Sequence, residues 1–223
     1  FMVKEEIIYG AGQLPKFRDN LYRDVEEDYW MVPTAEIPLT GLHMGEILSA
    51  EQLPRHYTAY TPCFRREKIA AGRDVRGIKR GHQFDKVEIV RIEHPDNTAK
   101  ALEEMIEHVK GLLSKLGLQF RILRLCGGDM GFTSALTYDM EVFSAAQERW
   151  LEVSSVSNFE TFQANRLKCR IKREGKTQLA HSLNGSALAL PRIVAALLEN
   201  NQSQEGIKIP EVLIPYCGFN SID

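Results

Sequence analysis

The segment from position 64 to position 88 carries charged and aromatic residues at spacings that suit ligand binding. Arg65 and Glu67 lie two residues apart, and Phe84 and Glu88 follow after a loop rich in glycine and charged residues. Residues two apart on a strand face the same side, so the spacing predicts a guanidinium and a carboxylate on one face of a hairpin. A guanidinium binds phosphate through paired hydrogen bonds, and an aromatic ring offers a base a stacking surface. A hairpin with a solvated, charged face is the alternative interpretation.

The charge of the chain is unevenly distributed. Its net charge is −2, from 28 basic and 30 acidic residues. Residues 65–80 nevertheless hold seven basic residues and two acidic ones, and residues 166–176 hold six and one. Local basic runs in a slightly acidic chain favour a local phosphate-bearing partner over a protein that coats nucleic acid.

Cysteine spacing, apolar runs and the first residues together indicate a cytoplasmic protein. Cys63, Cys126, Cys169 and Cys217 form no C-x-x-C pair, so we expect buried, reduced thiols and no zinc or redox motif. No apolar run reaches the roughly 20 residues that span a bilayer. The start, Phe1-Met2-Val3-Lys4, lacks the features of a signal peptide and predicts a natural start further upstream.

Strand-like segments outnumber helix-like ones and are joined by short loops. Alternation of polar residues with β-branched and aromatic ones predicts five strands. These are residues 56–67, 86–94, 119–126, 138–144 and 150–156. We therefore expect one α+β domain with an antiparallel β-sheet flanked by helices. No G-x-G-x-x-G or G-x-x-x-x-G-K-[ST] phosphate loop is present, so any nucleotide must be held differently.

Two apolar patterns have helical spacing. In the first, Thr98 is the predicted N-cap and Gly117 the predicted stop, with apolar residues every three or four positions between them. The second pattern runs from about Leu188 to Asn200, with Pro191 near its first turn. Its predicted core-facing residues are Leu188, Ile193, Leu197 and Leu198.

Residues 64–88 resemble motif 2 of the class II aminoacyl-tRNA synthetases, in the form found in seryl-tRNA synthetases. Four further segments are similar to that family in the same order, and they are residues 9–17, 33–40, 152–158 and 184–192. The last of them resembles motif 3. The resemblance implies that residues 1–223 are an aminoacylation catalytic domain with the class II fold. It also implies a serine–tRNA ligase that activates L-serine with ATP and Mg²⁺ and transfers serine to the 3′ end of tRNA(Ser).

The resemblance implies roles for individual residues as well. Arg65 would bind the α-phosphate and Glu67 the adenine amino group, while Phe84 and Arg192 would stack on the two faces of adenine. Arg65 and Arg192 are the implied catalytic residues. The implied ATP-binding set is Arg65, Arg66, Glu67, Phe84, Glu152, Val153, Ser154, Ser155 and Arg192. The implied magnesium ligands are Glu152 and Ser155.

A polar pocket for serine is implied too. Its residues are Thr34, Ala35, Glu36, Arg65, Glu88 and Ser186. Thr34 and Glu36 lie two apart and are predicted to share one strand face. Such a pocket rejects alanine because its polar groups stay unpaired when the hydroxyl is missing.

The sequence departs from the family pattern in several places. Lys68-Ile69-Ala70-Ala71 stands where the family commonly has a glycine-containing turn, and Ala187 and Leu190-Pro191 replace glycines of motif 3. The N-terminal helical arm that grips tRNA and the motif 1 segment of the dimer interface are not recognisable. We therefore expect a part of a longer protein that forms a homodimer.

Two other functions are compatible with this site. One is an adenylating relative that loads a non-tRNA acceptor such as a carrier protein, and the other is a non-catalytic binding module. The intact set of charged residues opposes the binding module. Thr34-Ala35-Glu36, without a zinc-ligand cysteine in the pocket segments, opposes a metal-using carrier-protein ligase. His82 and His181 are interpreted as structural hydrogen-bonding residues.

Overall fold

A β-sheet forms the centre of the protein in the computed structural model, which describes residues 1–68 and 78–223. The strands, in chain order, are β1 (Met2–Val3), β2 (Trp30–Met31), β3 (Ile47–Ser49), β4 (Arg55–Phe64), β5 (Gln83–Glu93), β6 (Phe120–Arg124), β7 (Leu136–Ser144), β8 (Arg149–Glu160), β9 (Arg170–Arg173), β10 (Lys176–Leu179), β11 (His181–Ala189), β12 (Gln202–Ser203), β13 (Gly206–Lys208) and β14 (Ser221–Ile222). The α-helices are α1 (Glu5–Ala11), α2 (Glu36–Gly41), α3 (Thr98–Lys115), α4 (Phe162–Leu167), α5 (Leu190–Asn201) and α6 (Ile214–Cys217).

The main sheet has six strands in the order β4-β5-β11-β8-β7-β6, and every neighbouring pair is antiparallel. The predicted α+β fold with an antiparallel sheet is therefore confirmed. The five predicted strands correspond to β4, β5, β6, β7 and β8. Alternation does not predict the central strand β11, because residues 182–186 are all buried and the period of two is lost.

The end of β4 differs from the prediction. The strand stops at Phe64, so Arg65 and Glu67 lie beyond it, and Glu67 adopts a left-handed backbone conformation with φ 52°. The inference that strand parity puts these two side chains on one face is therefore wrong. Most of the Lys68–Ala71 segment and the loop at residues 72–77 lie outside the described residues.

Helix α3 covers one face of the main sheet with the apolar residues that its spacing predicts. Its buried apolar residues are Ala101, Leu102, Met105, Val109 and Leu113, which pack with Met140 and Val142 of β7. Thr98 does not cap the helix, which corrects the prediction: Asn97 is the N-cap and the Thr98 hydroxyl points back at the His94 and Pro95 carbonyl oxygens. Pro95 already starts a helical turn, so Thr98 lies inside the helix. Gly117, with φ 68°, follows its end as predicted.

Helix α5 begins later than predicted. Leu188 belongs to β11, where it is buried, and Pro191 stands in the first turn of the helix. Ile193 faces the core as expected, but Leu198 is 36% exposed and Ala195 and Ala196 fill the buried face instead.

The remaining segments surround this core. β3 pairs in parallel with β9, and α1 packs against α2 and α4. Cys63 and Cys169 are buried, whereas Cys126 and Cys217 are exposed because they lie in a loop and at the end of the short helix α6. The prediction of buried thiols is wrong for the latter two. Among the described residues, no helix combines the length and apolar character needed to cross a membrane.

Candidate active site

Two adjoining depressions form one cleft. They share Arg65, Lys86, Glu152 and Ser186. We call the smaller one the arginine side, and it is also lined by Glu67, Lys79, Arg80, Gly81, Phe84, Val153, Ala189, Pro191 and Arg192. The larger one is the carboxylate side, whose further lining includes Thr34, Glu36, Glu88, Asp139, Ser155 and Asn184.

Arg65 stands between the two sides. Its Nε donates to the Pro33 carbonyl oxygen at 3.4 Å, and its guanidinium lies 5.0 Å from the centroid of the Phe84 ring. The Arg65 backbone NH donates to the His82 carbonyl at 2.9 Å, which holds the end of β4 against the start of β5. Its two Nη groups make no hydrogen bond to another described residue, so the guanidinium can take up an anion from either side.

Glu67 and Arg80 form an ion pair on the arginine side. Arg80 Nη1 lies 2.8 Å from Glu67 Oε2, and the Glu67 side chain is 6% exposed. The left-handed turn at Glu67 brings its carboxylate into the cleft, although the strand has ended. Glu67 therefore lies in the cleft as predicted, but because of a turn and not because of strand parity. Arg80 was not predicted.

Arg192 enters the cleft from the first turn of α5. Its Nη1 donates to the Glu152 carbonyl oxygen at 2.6 Å and lies 3.7 Å from Glu152 Oε2. Its Nε donates to the Lys79 carbonyl at 3.5 Å. These contacts link α5 to β8 and to the chain before β5, and Arg192 lines the arginine side together with Phe84.

The carboxylate side is built around Thr34, which precedes α2 and does not lie on a strand. Thr34 Oγ1 accepts from Lys86 Nζ at 2.8 Å and from the Glu36 backbone NH at 3.2 Å, and it donates to Glu88 Oε2 at 3.3 Å. Lys86 and Glu88 form an ion pair at 2.6 Å, with side chains 9% and 3% exposed. The parity inference for Thr34 and Glu36 is wrong, because a turn brings them to the cleft. Lys86 was missed, although it shares strand parity with Glu88.

Glu36 is the most perturbed acid on this side. Burial, together with the neighbouring Glu88 charge, raises the pKa of its carboxyl to about 7. Lys86 and the hydrogen bond from the Gln163 side chain oppose that rise. A carboxyl group with a pKa near 7 gains negative charge readily when a cation lies beside it. Glu36 can therefore serve as a counter-ion for an ammonium.

Gln163 and Asn184 escaped the sequence analysis as site residues. Gln163 lies on α4, 127 residues from Glu36, and no sequence spacing links them. Asn184 lies on β11, inside a segment that the family resemblance covers. Because its neighbours in that segment look like core residues, it was not predicted as a site residue.

Glu152 and Ser155 reach the same side of β8 although they are three residues apart. The pairing of β7 with β8 shifts between Met140 and Glu141, so β8 carries one extra residue at Val153. A bulge of this kind reverses the alternation of side chains. Both Glu152 and Ser155 therefore line the carboxylate side.

Asp139 adds a third oxygen-bearing group to this place. It pairs with Ser155 across the strands and lines the carboxylate side, and its buried Oδ1 has no hydrogen-bond partner. Burial raises the pKa of Asp139 to about 6, against a hydrogen bond from Ser155, and the Glu152, Glu141 and Asp129 charges raise it too. Carboxylate and hydroxyl oxygens in one cleft with Arg65 have the chemistry that suits Mg²⁺, which takes one or two carboxylates and completes its shell with phosphate and water. Among the described residues, no group of three or more His, Cys, Asp or Glu is placed to hold a metal ion.

Three of the residues in the implied sets do not line either side. The Ser154 hydroxyl donates to the Ser186 carbonyl at 2.6 Å, Ala35 is buried just before α2, and the Arg66 backbone NH donates to the Asn20 carbonyl at 2.9 Å. Their roles stay predictions.

The two histidines make side-chain hydrogen bonds outside the cleft. His82 Nδ1 lies 2.5 Å from the Tyr22 hydroxyl, and His181 Nδ1 lies 2.8 Å from Thr98 Oγ1. Burial lowers the pKa of His181. These contacts agree with their structural interpretation.

The fold and the cleft together define the class of protein. Residues 16–201 match the family model described as tRNA synthetase class II core domain (G, H, P, S and T). The chain belongs to that family, and the resemblance to class II enzymes is confirmed.

Within the class, relatives that are 51–56% identical to this chain are serine–tRNA ligases. The chain is 56% identical to the serine–tRNA ligase of Roseiflexus castenholzii over 221 residues. The matched region covers 98% of this chain and 52% of the relative. The chain therefore spans about half the length of the curated relatives it matches. The seryl-tRNA synthetase of Pyrococcus horikoshii complexed with ATP has a similar structure, with a TM-score of 0.96, 36% identity and coverage of 100% of this chain and 51% of that one. For the cytoplasmic serine–tRNA ligase of Naegleria fowleri in complex with AMP, the TM-score is 0.94 at 29% identity, with coverage of 100% and 54%.

Proposed function

We propose that the protein carrying this chain is a serine–tRNA ligase and that residues 1–223 supply its aminoacylation catalytic domain. The observation that carries the proposal is the junction of the arginine side and the carboxylate side at Arg65, in a chain 56% identical to a serine–tRNA ligase. One side suits a nucleotide, and the other suits a small ammonium-bearing substrate.

The nucleotide occupies the arginine side in this proposal. Arg65 binds the α-phosphate, Glu67 accepts the adenine amino group, and the base lies between Phe84 and Arg192. The ATP and AMP complexes of two similar structures support a nucleotide in this fold. The Arg65 guanidinium lies 5.0 Å from the centroid of the Phe84 ring, and binding of the α-phosphate would draw it away from that ring.

L-serine occupies the carboxylate side. Glu36 and Glu88 provide negative charge for its ammonium, while Thr34 and Ser186 offer hydroxyl groups to its side chain. Because Thr34, Lys86 and Glu88 already bond one another, the pocket is held in shape before the substrate arrives. Loss of the substrate hydroxyl would leave buried groups unpaired, which disfavours alanine.

The reaction joins the two sides. A carboxylate oxygen of serine bonds to the α-phosphorus, and pyrophosphate leaves with the electron pair of the broken P–O bond. The chain's part is to align the reactants and to place Arg65 and Arg192 beside the developing charge. Glu152 and Ser155, with Asp139 beside them, would hold Mg²⁺, which when bound neutralises charge on the ATP phosphates. Seryl-adenylate then transfers serine to a ribose hydroxyl at the 3′ end of tRNA(Ser), with release of AMP and of the hydroxyl proton.

The rest of the protein belongs to the same proposal. We propose that it works in the cytoplasm as a homodimer and that tRNA is gripped by a segment outside residues 1–223. The basic run at residues 166–176 would then give only weak contacts to tRNA, which weaken as salt is added.

Pyrophosphate–ATP exchange tests the proposal. The protein at its full natural length should exchange label only with L-serine and Mg²⁺, with threonine, alanine and glycine as comparators. Equal exchange with all four amino acids would contradict the pocket assignment. Exchange with serine but no transfer to tRNA(Ser) would instead favour an adenylating enzyme with another acceptor.

A further inference from the structure

Gln163 is a buried amide whose three hydrogen bonds are all made inside the protein. It lies on α4 with no exposed surface. Its Nε2 donates to the Ala11 carbonyl at 3.0 Å and to Glu36 Oε1 at 2.7 Å, and its Oε1 accepts from the Ser182 hydroxyl at 2.7 Å. Nothing in the proposed reaction so far uses this residue.

The neighbours of Gln163 fix which end of the amide meets Glu36. The Ala11 carbonyl can only accept, so Nε2 has to face it, and the Ser182 hydroxyl holds Oε1 on the other side. A flipped amide would place Oε1 against both the Ala11 carbonyl and the Glu36 carboxylate. The fixed acceptor on α1 therefore forces Gln163 to offer Glu36 a donor.

A donor in this position favours the ionised carboxylate. Hydrogen bonds to a charged acceptor are roughly twice as strong as those between neutral groups. The charged groups that face Glu36 act in opposite directions: Glu88 of β5 repels its charge, while Lys86 of β5 favours it. Lys86 is already paired with Glu88 at 2.6 Å, so its support is divided.

We propose that Gln163 is a positioning residue, which keeps the Glu36 carboxylate charged and directed at the ammonium of the amino-acid substrate. This inference rests on the proposed serine site. Gln163 touches no substrate itself and acts through Glu36. Ser182 and the Ala11 carbonyl act one step further back, by holding the amide.

Exchange kinetics between pH 6 and pH 8.5 test this role. Gln163→Met keeps the length of the side chain and removes the donor, so it should raise the KM for L-serine about tenfold at pH 7. It should also move the pH below which serine affinity is lost upward by about one unit, with kcat changed less than about threefold. Ser182→Ala should shift both values in the same direction but less, because Nε2 stays on Ala11.

Leu167→Ala is the matched control on α4. Leu167 is buried and packs on Gly10 of α1, so its loss loosens the same helix without touching the amide. It should lower the melting temperature and leave the pH profile unmoved. An equal shift in Leu167→Ala, or unshifted profiles in folded Gln163→Met and Ser182→Ala, would overturn the proposal. If Gln163→Met does not fold, the Ser182→Ala profile decides alone.

Stability gives a second readout that needs no activity. Glu36 is mostly ionised at pH 8 and mostly protonated at pH 5.5, since its pKa is about 7. Gln163→Met should therefore destabilise the protein more at pH 8, and this pH dependence should vanish in the Glu36→Gln background. If Gln163→Met lowers the free energy of unfolding equally at both pH values, Gln163 only stabilises the fold. The wild type could show no pyrophosphate–ATP exchange with any amino acid, while the stability of Gln163→Met still depends on pH only when Glu36 is present. In that case the proposed function fails, but the link between Gln163 and Glu36 stands.

Discussion

The two sides of the cleft are held in shape by different means. On the arginine side, Arg65 and Arg192 are anchored mainly on main-chain carbonyls, and the Arg192 side chain is 25% exposed. On the carboxylate side, the charged groups hold one another, and the Glu88 side chain is 3% exposed. The first arrangement leaves charges available to an incoming ligand, whereas the second fixes them beforehand.

This difference predicts where activity and stability are coupled. Half-exposed arginines contribute little to folding, because exposed charge contacts are weak. Buried carboxylates near one another cost stability, as the raised pKa of Glu36 indicates. Substitutions on the arginine side should therefore change activity alone, and those on the carboxylate side should change both.

The largest effect is expected from Arg65→Ala. The guanidinium should stabilise charge that develops on the α-phosphate, so its loss should lower serine-dependent exchange by a factor on the order of 10² to 10³. Stability should change by less than about 1 kcal/mol, since the lost contacts are one 3.4 Å hydrogen bond and one ring contact. Exchange rates and thermal unfolding measure the two effects.

Arg124→Ala on the edge strand β6 is the control for Arg65→Ala. It removes the same side chain from an exposed place that lines neither side of the cleft. Unfolding of Arg65→Ala at ambient temperature would show that Arg65 is structural and would break the distinction between the two sides.

Glu36→Gln should have opposite effects on activity and stability. The KM for L-serine should rise about a hundredfold, because the ammonium loses a charged partner. The folded-state pKa of about 7 is above the ordinary value of 4.5, so this carboxyl costs stability as pH rises through that window. At pH 8 the amide should therefore raise the free energy of unfolding by about 1 to 3 kcal/mol.

Denaturation at pH 8 and pH 5 separates these contributions for Glu36→Gln. The stability gain should shrink at pH 5, where the wild-type carboxyl is largely protonated. A variant that is less stable than the wild type at pH 8 would mean that Glu36 helps to hold the fold, contrary to the comparison drawn between the sides.

Sequence reasoning reached the main sheet and most of the cleft because those features depend on local patterns. Apolar spacing located α3, and alternation located five strands. The alternation of residues could not predict three local backbone features that decide where side chains point. These are the left-handed turn at Glu67, the extra residue of β8 and the turn before α2, and each breaks the alternation of a regular strand. Gln163 depends on contacts between segments far apart in sequence, which no spacing within one segment can report.

Phe84→Leu should separate the two sides more gently. Base stacking on an aromatic ring contributes about 1 to 3 kcal/mol, so the KM for ATP should rise about tenfold. The KM for serine should stay within about threefold, because Phe84 lines only the arginine side. Measuring both constants in the exchange assay tests this, and an equal rise in both would mean that the two sides are one coupled site.

Ser154→Ala should have the smallest effect and decides between two assignments of one hydroxyl. The family resemblance puts Ser154 in the ATP-binding set, yet its side chain is buried and donates to the Ser186 carbonyl. Alanine would leave that carbonyl without this donor and should lower the free energy of unfolding by about 1 kcal/mol. Since Ser186 belongs to both sides, a slight shift of β11 should change the KM for ATP and for serine by similar, less than threefold factors. A tenfold rise in the KM for ATP at unchanged stability would instead mean that the hydroxyl turns to the nucleotide, and the arginine side would then use a second buried group beside Glu67.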